Sequence, residues 1–240
     1  MKKSVKILVI LAIISSISFA AFFWYVSDYY RADEDAIAAF ISDVSVEKRE
    51  LEDGHIAYVP GDYTAGVIFY PGGKVDYMAY EPLMRVLAER GILAVLIKMP
   101  YNLAVLSPNA ADGVFDIFCG VESWYIAGHS LGGSMAASYA AKNPDKVDGL
   151  IMLAAYSTAD LTSSGIRVAS IYGSLDGVMH REKYEKYITN LPSDFSQTVI
   201  EGASHAGFGM YGEQKGDGVS KITNAEQIQI TADIIADFVK

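Results

Sequence analysis

The chain predicts an α/β fold: a mostly parallel sheet covered on both faces by helices, preceded by one N-terminal transmembrane helix. Three observations carry this expectation. Strand-like and helix-like segments alternate from about residue 55 to the end. The strand segments are continuous apolar runs rather than alternating patterns, as expected for strands buried on both faces. The first thirty residues contain one long uncharged stretch that matches nothing else in the chain. The length of 240 residues suits one such domain plus an extra segment. With 51% hydrophobic and 20% charged residues the chain can bury a sizeable core.

The N-terminal stretch is Ile7 to Val26, twenty residues without a charge, preceded by Lys2, Lys3 and Lys6. A helix of that length is roughly 30 Å long, enough to cross a bilayer core. Trp24, Tyr25, Tyr29 and Tyr30 would form an interfacial belt at its far end. Lysines before the span and Asp28, Asp33, Glu34 and Asp35 after it place the N-terminus in the cytoplasm and the rest outside. A cleaved signal sequence ending at Ser18-Phe19-Ala20 is the alternative, which would make the protein secreted. The apolar run continues past that site through Phe22, Phe23 and Trp24, which favours an anchor. The organisation expected is therefore an anchor over 1–27, a polar, helix-prone juxtamembrane stem over 28–54 and the α/β domain over 55–240.

Within the domain, His55–Pro60 and Ala65–Tyr70 read as strands, the second closed by Pro71-Gly72-Gly73. Tyr80–Arg90 is an amphipathic helix ended by Gly91, and Ile92–Met99 is an apolar strand ended by Pro100. Ser107–Phe118 is a helix candidate, with Ser107 as cap and Pro108 at its first position. Trp124–Ala127 is a strand, Leu131–Lys142 a helix, and Asp148–Ala155 and Arg167–Tyr172 two more strands. Arg181–Leu191 is a charged helix, Phe195–Ile200 a last strand, and Ala225–Val239 a terminal amphipathic helix with Asn224 as cap.

The chemistry centres on Gly128-His129-Ser130-Leu131-Gly132-Gly133, between a strand and a helix. Such a turn lifts the Ser130 hydroxyl out of the sheet and aims the first amides of the next helix at the same spot. Glycines at 128 and 132 permit the close backbone approach that the turn requires. A serine hydroxyl needs a base, and the base needs an orienting acid. Of four histidines, His205 follows the last strand in a Gly-rich loop, while His129 sits inside the turn with its side chain expected to point away from Ser130. Asp176, in Gly173-Ser174-Leu175-Asp176-Gly177 after the preceding strand, is the expected acid, with Asp160 as runner-up. The amides of Leu131 and Gly73 are the expected oxyanion donors, with Lys74 as the alternative register.

These residues resemble the α/β-hydrolase superfamily, and within it the small α/β-hydrolase fold-5 and dienelactone-hydrolase-like group. The matching elements are the Ser130 turn, Tyr70-Pro71-Gly72-Gly73-Lys74-Val75, Gly173-Ser174-Leu175-Asp176 and the loop from Gly202 to Gly218. The resemblance implies an α/β-hydrolase fold with a Ser-Asp-His triad. One departure matters: dienelactone hydrolases use a cysteine nucleophile, and serine occupies that position here, which favours general esterase chemistry.

Only about ten residues, Ser157–Ile166, separate two late strands, so a minimal lid or none is expected. An open site suits a small or surface-presented ester, walled by Tyr101 and Phe208 with neighbouring Met210 and Tyr211. No cofactor is expected. The single cysteine, Cys119, excludes an intrachain disulfide, and Gly216-Asp217-Gly218 with Glu213 matches no calcium loop. A net charge of −10 argues against nucleic acid as a partner; the bilayer is the partner expected for the helix. The function expected is a carboxylesterase-like serine hydrolase working through an acyl-enzyme. An acyltransferase with the same triad and a catalytically silent anchored binding domain are the alternatives.

Overall fold

The computed structural model describes residues 3–41 and 46–240. Lys2 and residues 42–45 of the expected stem lie outside the described residues. Eight strands form one sheet in the order β1-β2-β4-β3-β5-β6-β7-β8. They are β1 (Glu47–Glu50), β2 (Ile56–Val59), β3 (Ala65–Tyr70), β4 (Ile92–Leu96), β5 (Ser123–His129), β6 (Gly149–Leu153), β7 (Arg167–Gly173) and β8 (Ser196–Ile200). From β4 to β8 all neighbours are parallel, while β1 and β2 join antiparallel at one edge. The helices are α1 (Lys3–Ser27), α2 (Glu34–Phe40), α3 (Glu81–Glu89), α4 (Leu131–Lys142), α5 (Arg181–Tyr187) and α6 (Asn224–Val239).

The strands are apolar throughout because both faces are covered. Along β3, Val67 and Phe69 join the core under α3 and α6, whereas Ile68 and Tyr70 join the core under α4. Side chains that alternate in direction thus meet an apolar layer either way. α3 and α6 pack on each other, contributing Leu83, Leu87, Ile228 and Ile235, all fully buried. Each such side chain stabilises the fold by about 1.5–3 kcal/mol.

Three expectations change. Ser107–Phe118 is a series of turns, not a helix: its amides bond three residues back, as from Ala110 to Ser107 and Val114 to Ala111. The buried Tyr70 hydroxyl donates to the Pro108 carbonyl and accepts from the Ala111 amide, so this backbone is recruited by the sheet core. Residues 28–54 are not a separate stem: β1 extends the sheet, and Ile37, Val46 and Leu51 are buried in the two cores. Their apolar residues were too few to show a period, yet the domain supplies the surface that buries them. The cap of α6 is Thr223, not Asn224; its hydroxyl accepts from the Glu226 amide while the Glu226 carboxylate accepts from the Thr223 amide.

α1 is long and apolar enough to cross a membrane; its most apolar stretch is exposed, while Val26 in its last turn is buried against the domain.

Candidate active site

The sheet places the carboxyl ends of β3 to β8 along one edge, where open α/β sheets bind ligands. Non-glycine residues with positive φ concentrate there. Lys74 (58°) follows β3, Tyr101 (53°) and Asn102 (57°) follow β4, Ser130 (53°) follows β5 and Ala154 (49°) follows β6. No other described non-glycine residue has a positive φ. Backbone strain of this kind costs on the order of 1–3 kcal/mol per residue and marks functional sites.

Ser130 stands between β5 and α4 with φ 53° and ψ −121°. Its amide donates to the Leu153 carbonyl, which ties the turn to β6. The glycines work as expected. A Cβ on Gly128 would lie 2.6 Å from the Gly132 backbone, and one on Gly132 would collide with the carbonyls of Tyr70 and Pro71. The second contact brings the turn after β3 against the start of α4.

That turn offers one unpaired amide. Gly72 N–H donates to the Tyr80 hydroxyl (3.2 Å), and Lys74 N–H donates to the Asn102 carbonyl (2.8 Å). The Gly73 amide between them makes no hydrogen bond within the described residues. Of the two expected registers, Gly73 is therefore the one whose amide is available to an acceptor. Leu131, the first residue of α4, has no intrahelical acceptor for its amide. The two residues touch: a Cβ on Gly73 would lie 2.6 Å from Leu131 Cδ2.

Across the site, His205 Nδ1 and Asp176 Oδ2 are 2.9 Å apart, and both side chains are buried. The Asp176 Oδ1 accepts from the Val178 and Met179 amides (2.9 and 2.8 Å). Burial alone would raise the Asp176 pKa; the bonds from His205, Met179 and Val178 outweigh it and hold the group below the usual carboxylate range. With Nδ1–H donated to the carboxylate, Nε2 is the basic nitrogen, and it is buried without a hydrogen-bond partner among the described residues. Asp160 is exposed and bound to Thr162, far from this role.

Three supporting residues, Asp217, Gln227 and Tyr80, have no assigned role in the sequence reading. Asp217 accepts from the amides of His205, Ala206, Gly177 and Gly218, clamping the loop of the base to the loop of the acid. Gln227, fully buried on α6, makes two hydrogen bonds to the Ser204 backbone. Tyr80 OH is 2.7 Å from His129 Nδ1, and the His129 ring lies 4.5 Å from that of His205. Because Tyr80 accepts from Gly72, its proton goes to His129. Desolvation, aided by the nearby His205, pushes the His129 pKa well below its ordinary value, so the ring is neutral. The His129 side chain is thus directed at Tyr80 and packs beside the His205 ring. The glycine flanks of Asp217 and the polar Gln227 on an apolar helix face were the available signals.

The expected walls need correction. Phe208 is fully buried and packs on His129 at 5.5 Å, so it supports the site from below rather than lining it. Met210 and Tyr211 are core residues too. Their place beside Gly207, Gly209 and Gly212 suits a tightly folded loop, but that loop folds inward against α6 and not over the site. Tyr101 is half exposed at the rim. The cavity beside Ser130 measures about 250 Å³ and is lined on the opposite bank by Ala154, Tyr156, Val178, Met179 and His180. No helix intervenes between β6 and β7.

The model of the alpha/beta hydrolase family matches residues 66–229. The chain belongs to that family. Solved structures agree on the fold of this alpha/beta hydrolase. Dienelactone hydrolase from Anabaena variabilis matches with a TM-score of 0.61 at 15% identity, covering 82% of this chain and 100% of that one. The esterase domain of a Rhodothermus marinus protein matches with a TM-score of 0.59 at 12% identity, over 80% and 96% of the two chains. A predicted CIB-like hydrolase from Thermoplasma acidophilum gives 0.56 at 18% identity, over 80% and 98%. No curated protein matches the chain.

Proposed function

We propose that this alpha/beta hydrolase cleaves carboxylic esters with Ser130 as nucleophile, His205 as base and Asp176 as its orienting acid. The observation that carries the reading is the buried Asp176–His205 pair, whose outer nitrogen has no partner. An unsatisfied buried polar atom costs on the order of 1–3 kcal/mol. What sets His205 apart from His129, whose Nε2 is likewise unpartnered among the described residues, is the Asp176 carboxylate on its other nitrogen, on the same sheet edge as a strained serine. The Ser130 hydroxyl makes no hydrogen bond among the described residues, and such contacts tighten when substrate binds.

In this mechanism Ser130 Oγ attacks the ester carbonyl while His205 Nε2 takes its proton. The Gly73 and Leu131 amides and the α4 N-terminus stabilise the oxyanion. Collapse breaks the ester C–O bond, and His205 passes the proton to the leaving alcohol. Water, activated by His205, then releases the acid from Ser130. Asp176 stays ionised throughout, which its depressed pKa favours. We assign α1 as a retained signal-anchor, with the domain on the extracytoplasmic side because Lys6 precedes the span and acidic residues follow it.

The test is fluorophosphonate labelling of the full chain followed by peptide mass spectrometry. An adduct on Ser130 that disappears in His205→Ala is expected. A folded protein that takes no label would overturn the assignment in favour of a silent binding domain.

A further inference from the structure

α1 does not leave the domain on a free tether; its last turns are seated on the rim of the site. Phe22 and Phe23, both inside the uncharged stretch, pack edge-on against Tyr101 at 5.5 and 5.8 Å. Tyr101 belongs to the strained turn whose Asn102 carbonyl holds the Lys74 amide beside Gly73. Lys74 Nζ lies over the Tyr25 ring at 4.5 Å and pairs with Asp28 at 3.1 Å.

The segment after α1 then bonds to both banks. The Tyr30 amide donates to the Lys74 carbonyl, and the Tyr30 carbonyl accepts from Asp76. The Asp33 amide donates to Met210, and the Tyr30 hydroxyl accepts from the Lys215 amide, both in the loop that follows His205. The helix end, the oxyanion turn and the base loop are thus one bonded unit.

This seating fixes a height. If α1 spans a bilayer, Phe22 and Phe23 lie within or at the edge of the hydrocarbon, and Tyr101 must lie at the interface with them. Tyr101 then joins Trp24 and Tyr25 in an interfacial aromatic belt. Val105 and Leu106, on the next turn of the same loop, are also exposed and extend the apolar rim. The cavity on the other bank, at about 250 Å³, is smaller than the roughly 300–1,000 Å³ that encloses a drug-sized ligand. It encloses only a small group, so an acyl chain longer than that extends outside it.

We propose that the Ser130 site draws its substrate from the bilayer itself, and that the substrate class is acyl glycerolipid, whose ester carbonyls lie in the interfacial layer that the rim occupies. This rests on the serine-hydrolase and retained-anchor readings above. Ser130 Oγ bonds to the acyl carbon, the glycerol C–O–acyl bond breaks, and the glycerol oxygen takes the proton from His205. Water then frees the fatty acid.

The test uses the full chain reconstituted in phosphatidylcholine vesicles containing diacylglycerol. Fatty-acid release from the vesicle lipids is followed beside turnover of p-nitrophenyl acetate, a soluble ester. Both activities are expected. The double variant Phe22→Ala and Phe23→Ala keeps the span apolar but unseats it from Tyr101. It should lose lipid turnover by about tenfold or more while soluble-ester turnover stays within about twofold. Val105→Glu with Leu106→Glu should show the same split. Soluble-ester turnover with no fatty-acid release, or equal loss of both activities in these variants, overturns the proposal and leaves the hydrolase reading standing. Neither activity, with no fluorophosphonate adduct on Ser130, removes both.

Discussion

The two banks of the site are each built around a buried histidine, and the difference between them is one partner. On the β7–β8 bank His205 faces a carboxylate, Asp176. On the β3–β5 bank His129, its ring centre 4.5 Å from that of His205, faces the phenol of Tyr80, which in turn holds Gly72. A carboxylate stabilises an imidazolium, so the first ring can cycle through protonation. A phenol hydrogen bond offers no such charge, and burial keeps the second ring neutral. The first bank is built to hold a proton in transit, as the proposed mechanism requires, and the second holds backbone in place. The comparison shows that burial alone does not fix what a histidine can do; its hydrogen-bond partner does.

The comparison breaks first at the nucleophile. Ser130→Ala and His205→Ala should each lower kcat by about 10⁶-fold with the fold retained, as read by ester turnover and circular dichroism. Activity within tenfold of the starting protein would place the chemistry elsewhere. Asp176→Asn should cost about 10⁴-fold, since the amide cannot stabilise the imidazolium; an unchanged rate would make the two banks equivalent after all.

A smaller effect tests the second bank. Tyr80→Phe leaves Gly72 N–H and His129 Nδ1 without their partner. It should destabilise the protein by about 1–3 kcal/mol and lower kcat by about tenfold with little change in KM, through the Gly73 donor. Urea denaturation and steady-state kinetics check both; a variant equal to the parent in each would reduce this bank to packing.

The smallest effect concerns pH. His129 and His55 have pKa values below the ordinary 6.5, in both cases chiefly through burial. Below about pH 6.5 the unfolded chain binds protons that the native state excludes, so stability falls as pH falls. Each excluded proton contributes a slope of about 1.4 kcal/mol per pH unit in that window. The depressed Asp176 adds its own loss further down, as pH drops below its ordinary 3.8. Denaturation midpoints measured between about pH 7.5 and 5 should show the fall, and His129→Gln should flatten it by one proton's share. A slope unaffected by that substitution would mean that His129 is charged in the fold, contrary to the contrast between the banks.

Much of this was legible in the sequence because it is local. The apolar runs specify buried strands, the Gly-x-Ser-x-Gly spacing specifies a crowded turn at Ser130, and twenty uncharged residues specify a span-length helix. Chain order pointed to Asp176 and His205, and the structure brings them together. The resemblance to α/β-hydrolases holds, and the family model covers most of the domain. What the sequence could not show depends on contacts between distant residues. Asp217 reads as a turn aspartate until the fold puts four amides around it. Phe208 reads as a pocket wall until its loop turns inward onto His129. The 28–54 segment reads as a stem until β2 offers it a strand edge. Local spacing determines which backbone shapes and which residue types are present. Only tertiary structure decides which face is dry, which amide lacks a partner, and that Phe22 and Phe23 rest on Tyr101, because burial and pairing belong to two chain segments at once.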